Sequence, residues 1–321
     1  MIFPKGIFED LVPSDPPLPK YINPIVRERA ERIEDPLLRR SYLWANAIAV
    51  AFSQSSVSHP ERFTHLSFGL VSINPEILKK TEFGEIAKRN FVFGAYALAK
   101  PIEQKPGTQK VSLIEFEPFP MPLIITYGEM EEHGVPPHPH TGSGACWIEN
   151  AGTYRNWKKG ILTCRHTLEY FHLGQTITLH PSDKYNSPTS GVLADIDECT
   201  IDAAIVEIKR DTWPQNLSPL IICSPLPPGL QAYFQGRNSK VYGTVLRVSQ
   251  DETYFGNLFG QRIVTDFYGK PGDSGSLLLG GDLCEGMGIF MGTIPDGIGG
   301  KDGIFQDLNQ VARYFNLNLY N

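Results

Sequence analysis

From residue 142 onward the chain alternates short apolar runs with turns rich in Gly, Asn, Asp and Pro. The runs are Ala145–Ile148, Gly160–Thr163, Gln175–Leu179, Ala203–Ile208, Leu220–Cys223, Leu230–Gln235, Val241–Val248, Arg262–Thr265, Ser276–Leu279 and Met287–Met291. Short strands at such spacing predict an all-β sandwich or barrel. The period changes only at the end. Within Gln306–Phe315, Leu308, Val311, Ala312 and Phe315 stand at i, i+3, i+4 and i+7, which predicts one closing helix.

The first 130 residues read differently. Asn23-Pro24 opens a helical pattern over Ile25–Ile33, and Asp35-Pro36 places an N-cap oxygen before a proline at the first helical position of a helix running to about Phe52. Asn74-Pro75 repeats this logic for a helix to about Arg89, while Asn90–Ala99, Lys110–Phe116 and Pro122–Tyr127 read as strands. Residues 1–22 carry Pro4, Pro13, Pro16, Pro17 and Pro19 and are expected to form an irregular surface arm. The expected organisation is therefore an α+β region over 1–130 of unassigned role, a linker over 131–141, and a β domain over 142–321. In the linker, His133, His138 and His140 raise the possibility of a metal site. No cysteine stands at ligand spacing with them, so a solvated Pro/His turn is the preferred reading and no metal is expected.

Composition narrows the classes. With 41% hydrophobic and 20% charged residues, the 321-residue chain suits a water-soluble globular protein, and its net charge of −6 argues against a nucleic-acid partner. Met1-Ile2-Phe3-Pro4-Lys5 has neither the basic nor the apolar region of a secretory signal. The most apolar stretch, Tyr42–Phe52, contains Asn46 and falls short of the roughly 20 residues that span a bilayer. A cytoplasmic protein without a membrane segment is expected. Cysteines 146, 164, 199, 223 and 284 are odd in number and are expected to be reduced; whether Cys146 and Cys164 face each other across a hairpin is open.

Candidate chemistry centres on Gly272-Asp273-Ser274-Gly275-Ser276, a glycine-flanked loop followed by Leu277-Leu278-Leu279. A serine hydroxyl needs an adjacent base to become a nucleophile. His166 stands at the turn after the run Gly160–Thr163, and Asp202 stands at the start of the run Ala203–Ile208. Asp195 and Asp197 are rival acids; Asp202 is preferred because the apolar strand after it would bury its start. The order His, Asp, Ser differs from that of α/β-hydrolases, no histidine follows Ser274, and the loop ends in Ser276 where Gly-x-Ser-x-Gly needs glycine.

In these motifs residues 142–317 resemble the chymotrypsin-fold (trypsin-like) serine peptidases. Gly160–Thr163 with His166 is similar to that family's "(I/L)-T-A-A-H" segment, with Cys164-Arg165 in place of the two alanines. Asp202-Ala203-Ala204-Ile205 is similar to "D-(I/L)-A-(L/V)", and Gly272-Asp273-Ser274-Gly275-Ser276 to "G-D-S-G-(G/S)". Residues 1–130 carry no such likeness.

The resemblance implies a C-terminal double β-barrel with a terminal helix. It implies Ser274 as nucleophile, His166 as base and then acid, Asp202 as orienter, and the Gly272 and Ser274 N–H groups as the oxyanion hole. Tyr268, Gly292, Thr293 and Gly303 would line the primary substrate pocket; Tyr268 where an acid would select Lys or Arg speaks against cleavage after basic residues. Secreted members pair the aspartate before the serine with a cleaved Ile/Val amino terminus, but residues 140–144 read His-Thr-Gly-Ser-Gly. Maturation without cleavage is therefore expected, with control through the N-terminal region or a regulatory partner. The expected protein is an intracellular serine endopeptidase acting on protein or peptide substrates without a cofactor. The alternative is an inactive binding module of the same fold.

Overall fold

The computed structural model describes residues 5–55, 63–78, 90–117, 120–132, 141–152, 155–181, 188–196, 201–249, 261–280 and 285–321. The first region holds α1 (Lys5–Leu11), α2 (Pro24–Glu31), α3 (Pro36–Gln54) and α4 (Pro75–Leu78). Its strands are β1 (Phe63–Ser72), β2 (Phe91–Ala99), β3 (Gln109–Ile114) and β4 (Met121–Tyr127). The predicted caps form. Asn23 Oδ1 accepts the Ile25 N–H, and Asp35 Oδ1 accepts those of Leu37 and Leu38. Trp44, Ala45, Ile48 and Phe52 of α3 are fully buried in one core with Phe68 and Leu70 of β1 and Ala95 of β2.

Three expectations change here. Residues 5–21 are not an irregular surface arm: α1 folds, Phe8, Leu11 and Val12 are buried in the first region's core, and the Phe8 ring fills the space left by the absent side chain of Gly229. The strand β1 was not anticipated from the sequence. The helix expected to about Arg89 is described only over Pro75–Leu78, its remainder lying outside the described residues.

β5 (Glu131–Glu132) falls in the expected linker. The β-rich part then contains β6 (Thr141–Gly144), β7 (Trp147–Asn150), β8 (Lys159–Thr163), β9 (Thr176–Pro181), β10 (Thr189–Ile196) and β11 (Ala204–Glu207). It continues with β12 (Ile221–Ile222), β13 (Gln231–Gln235), β14 (Lys240–Val248), β15 (Arg262–Thr265), β16 (Leu277–Gly280), β17 (Glu285–Pro295) and β18 (Lys301–Asp307), and ends with α5 (Leu308–Phe315) and β19 (Leu317–Tyr320). Strands β6, β10, β18 and β19 were not anticipated, and the run Ala145–Ile148 becomes a strand only from Trp147, in β7; the runs from Gly160–Thr163 onward and the closing helix formed where their pattern placed them.

Two sheets result. One curved sheet of seven strands has the order β19-β7-β8-β11-β10-β9-β6. Its first two chain segments bend it back, β6 pairing with β9 while Ala145 and Cys146 bond Leu162 of β8. The other sheet closes into a six-stranded barrel, β13-β16-β17-β18-β15-β14, through the pairing of β14 with β13.

The barrel does not end at β14. β1 pairs with it (Phe68 opposite Val248, Gly69 opposite Arg247), so the sheet continues through β2, β4 and β3 of the first region. Gly69 permits this contact: its φ of +143° suits glycine, and a side chain there would strike the Leu246 carbonyl. A fully buried Arg247 completes the joint. Its guanidinium donates to Asp302 Oδ2 at 2.6 Å and to the Leu70 carbonyl at 3.1 Å, and lies 4.2 Å from the Tyr96 ring centre. Burial nonetheless pushes the Asp302 carboxyl up to about 6.

Candidate active site

β8 ends at Thr163, and a single 3-10 turn, His166–Leu168, follows it. β11 runs antiparallel beside β8 with Ala204 opposite Thr163, which carries Asp202 to the same end of the sheet as His166. Two hydrogen bonds lock the pair. The His166 backbone N–H donates to Asp202 Oδ1 at 2.9 Å, and His166 Nδ1 lies 2.6 Å from Asp202 Oδ2. The rival Asp195 is placed elsewhere: it belongs to β10, and its carboxylate takes Arg155 and the Trp157 indole N–H. Asp197 lies outside the described residues.

Burial opposes charge on both partners, yet their mutual contact wins. The bond and charge of Asp202, with the charges of Glu132 and Glu169, hold His166 above its ordinary value. The bonds and charge of His166, with the buried Arg262, hold Asp202 below the usual carboxylate range. His166 Nε2 is buried and has no hydrogen-bond partner among the described residues.

The Ser274 loop is brought to this pair through the carbonyl of Phe290, which accepts both the Gly275 N–H at 2.9 Å and the Cys164 Sγ–H at 3.0 Å. Gly275 sits at φ +93°, and a side chain there would strike Ser143 O and Thr163 Oγ1. Ser143 links the loops further: its carbonyl accepts Thr163 Oγ1 at 2.6 Å while its hydroxyl donates to Gly272 O at 2.7 Å. Ser274 is 1% exposed, and its hydroxyl donates to Met291 O at 3.1 Å rather than to His166. The N–H groups of Gly272 and Ser274 have no hydrogen-bond acceptor among the described residues.

Asp273 is fully buried, and the turn between β13 and β14 docks on it. Its Oδ1 accepts the Asn238 N–H at 2.5 Å and its Oδ2 accepts the Lys270 N–H at 2.8 Å. Asn238 Nδ2 also donates to Pro271 O at 2.9 Å, and Gly236 lacks the Cβ that would collide with the carboxylate. Backbone amides thus hold the aspartate before the serine.

Residues 141–320 form a closed six-stranded β-barrel and, beside it, a curved seven-stranded half-barrel, the double-barrel layout expected of the sequence. No family model and no curated protein matches the chain. Solved structures that resemble it include the Nocardiopsis protease NAPase (17% identity, 56% of this chain and 100% of that one, TM-score 0.37) and Thermobifida fusca protease A (18%, 56% and 98%, 0.37). Cellulomonas bogoriensis chymotrypsin aligns likewise (19%, 56% and 98%, 0.34). The likeness is one of fold over about half of the chain.

Of the residues assigned to a substrate pocket, Thr293 and Gly303 are register partners on β17 and β18, and Gly292 lies beside them. Tyr268 is half exposed on the loop after β15. Cys164, His166 and Asp202 offer ligand atoms within 4.8 Å of one another; the Cys164 thiol donates to Phe290 O, and both Asp202 oxygens are engaged with His166. Cys146 and Cys164 are free, buried thiols. Cys199, Cys284, His133, His138 and His140 lie outside the described residues. No helix among the described residues is long and apolar enough to cross a membrane.

Sequence reasoning missed Ser143, Asn238, Arg262 and Glu132. Only Gly236-Arg237-Asn238-Ser239 carries a local signal, that of a turn between two apolar runs.

Proposed function

We propose that this chain is a serine endopeptidase that uses His166, Asp202 and Ser274. One observation carries the reading. Asp202 engages both N–H groups on one side of His166, so Nε2 is left without a partner in a buried site where the Ser274 loop meets the same carbonyl as Cys164. In this reading the Ser274 hydroxyl leaves Met291 O, gives its proton to Nε2 and attacks the scissile carbonyl. His166 then protonates the leaving amine, and Asp202 stabilises the imidazolium. The open Gly272 and Ser274 N–H groups receive the developing oxyanion; losing one such donor typically costs about 10²–10³ in rate.

Tyr268 supports a pocket that does not favour Lys or Arg. The joint between β1 and β14 supports a regulatory role for the N-terminal region, through which a partner protein could act on the barrel. A cytoplasmic location accords with the sequence. A second reading, a binding module without turnover, draws on the Ser274 hydroxyl being bonded to Met291 O and not to His166.

A fluorophosphonate probe with mass-spectrometric site mapping, run beside peptide-library cleavage, separates the two. Labelling and cleavage that disappear in Ser274→Ala and His166→Ala support the peptidase. Absence of both from folded full-length protein, including variants that expose Ser274, refutes it.

A further inference from the structure

β17 has two edges. β18 takes one of them from Gly288 to Pro295. β16 takes the other only as far as Ile289, where the paired chain leads back into the Ser274 loop. That side continues with Phe290 N–H to Ser276 O and Gly275 N–H to Phe290 O, and ends with the Ser274 hydroxyl on Met291 O. From Gly292 on, the same edge would be bare, and a bare edge is a template for an extended chain. The chain itself fills it. β5 lies there antiparallel, with Glu132 opposite Gly292 and Glu131 opposite Thr293. Its direction leads toward Met291, the residue that holds the serine hydroxyl.

The seat is built for this segment. A side chain at Gly292 would collide with the Glu131 carbonyl, and Lys301 at the start of β18 pairs with the Glu131 carboxylate. The N-terminal region fixes the approach: Tyr96 donates its hydroxyl to Pro295 O at 2.6 Å, and the Gly128 N–H donates to Ala99 O at 2.9 Å. Glu132 is close enough to act on the charge of His166, beside Asp202 and Glu169. Ser274 and His166 Nε2 are both shut from solvent.

We propose that β5 is an intramolecular competitor, seated on the edge where an extended peptide substrate would add as a strand, so that the folded chain is latent until β5 is displaced. The proposal rests on the serine-peptidase reading. It also names the displacing chemistry: an extended peptide with a carboxylate opposite Thr293, where Lys301 meets it.

The test uses the full chain as wild type, Glu132→Pro, which removes a strand N–H, and Lys301→Glu, which reverses the latch while leaving β5 intact. Two rates are measured: fluorophosphonate labelling of Ser274 and amide hydrogen exchange at Gly292 and Thr293. Loss of about one ladder bond should speed both by roughly tenfold in Glu132→Pro. The synthetic peptide Gly-Glu-Met-Glu-Glu, residues 128–132, should slow labelling again when added in trans. Faster exchange with unchanged labelling overturns the proposal, since β5 then covers nothing. Unchanged exchange in both variants also overturns it, since β5 is then not seated on β17. Faster exchange with no labelling of any protein instead removes the peptidase reading, and the proposal with it.

Discussion

Asp273→Asn perturbs the loop anchor while preserving its volume. The carboxylate accepts two backbone N–H bonds, at 2.5 and 2.8 Å, in a site with no exposure. Asparagine keeps one acceptor oxygen and turns an NH₂ toward the other donor. One charge-assisted bond worth about 1.5–3 kcal/mol is lost and the second is weakened to a neutral one. The expected cost is therefore about 3 kcal/mol, a large share of the roughly 5–15 kcal/mol that a domain possesses. Urea unfolding reads it directly. The same change loosens the N–H groups of Gly272 and Ser274, so fluorophosphonate labelling should slow by about 10²-fold in protein that is still folded. The His166–Asp202 pair sits in the other sheet, so its Nδ1–H proton resonance should persist. A stability loss under about 1 kcal/mol, together with labelling within about threefold of wild type, would refute the reasoning.

Further outcomes follow from the same contacts. His166 must be neutral to act as base, and its folded value is raised, so the acid limb of labelling should lie above pH about 6.5; Glu132→Gln removes a charge that favours the imidazolium and should shift that limb downward in a pH–rate profile. The same raised value means that the stability His166 contributes is present below its unfolded value and fades as pH rises through its folded one, which urea titrations across that window would detect. Arg247→Met leaves Asp302 buried without its partner and should cost about 3–5 kcal/mol, most of it recovered in Arg247→Met/Asp302→Leu; a double-mutant cycle with no coupling would count against the joint. Ser143→Ala removes the hydroxyl that holds Gly272 O and should cost about 1 kcal/mol in urea, with labelling slowed by about tenfold.

Much of the architecture is legible locally. The caps at Asn23 and Asp35 depend on a side chain and amides two or three positions on, and the apolar stripe of α5 depends on one helical period, so a single sequence suffices to place them. The order of His166, Asp202 and Ser274 is likewise visible, and so is the strand beginning beside each acid and base. Asp202 was preferred over Asp195 and Asp197 because an apolar strand follows it; what the sequence did not show is that the register of β11 on β8 sets Asp202 against His166 while Arg155 takes Asp195.

What only the tertiary structure decided are the partnerships between distant segments. Nothing near Phe63–Ser72 announces that β1 will extend the barrel, because the pairing surface is β14, far along the chain. Nothing near Asp273 says that Asn238 and Lys270 will hold it, since a buried carboxylate takes whichever amides the fold delivers. And Glu131-Glu132 reads as linker because a two-residue strand has no period of its own. It is a strand only because β16 leaves the edge of β17 open beside Ser274, and unpaired backbone groups take the nearest chain that can bond them.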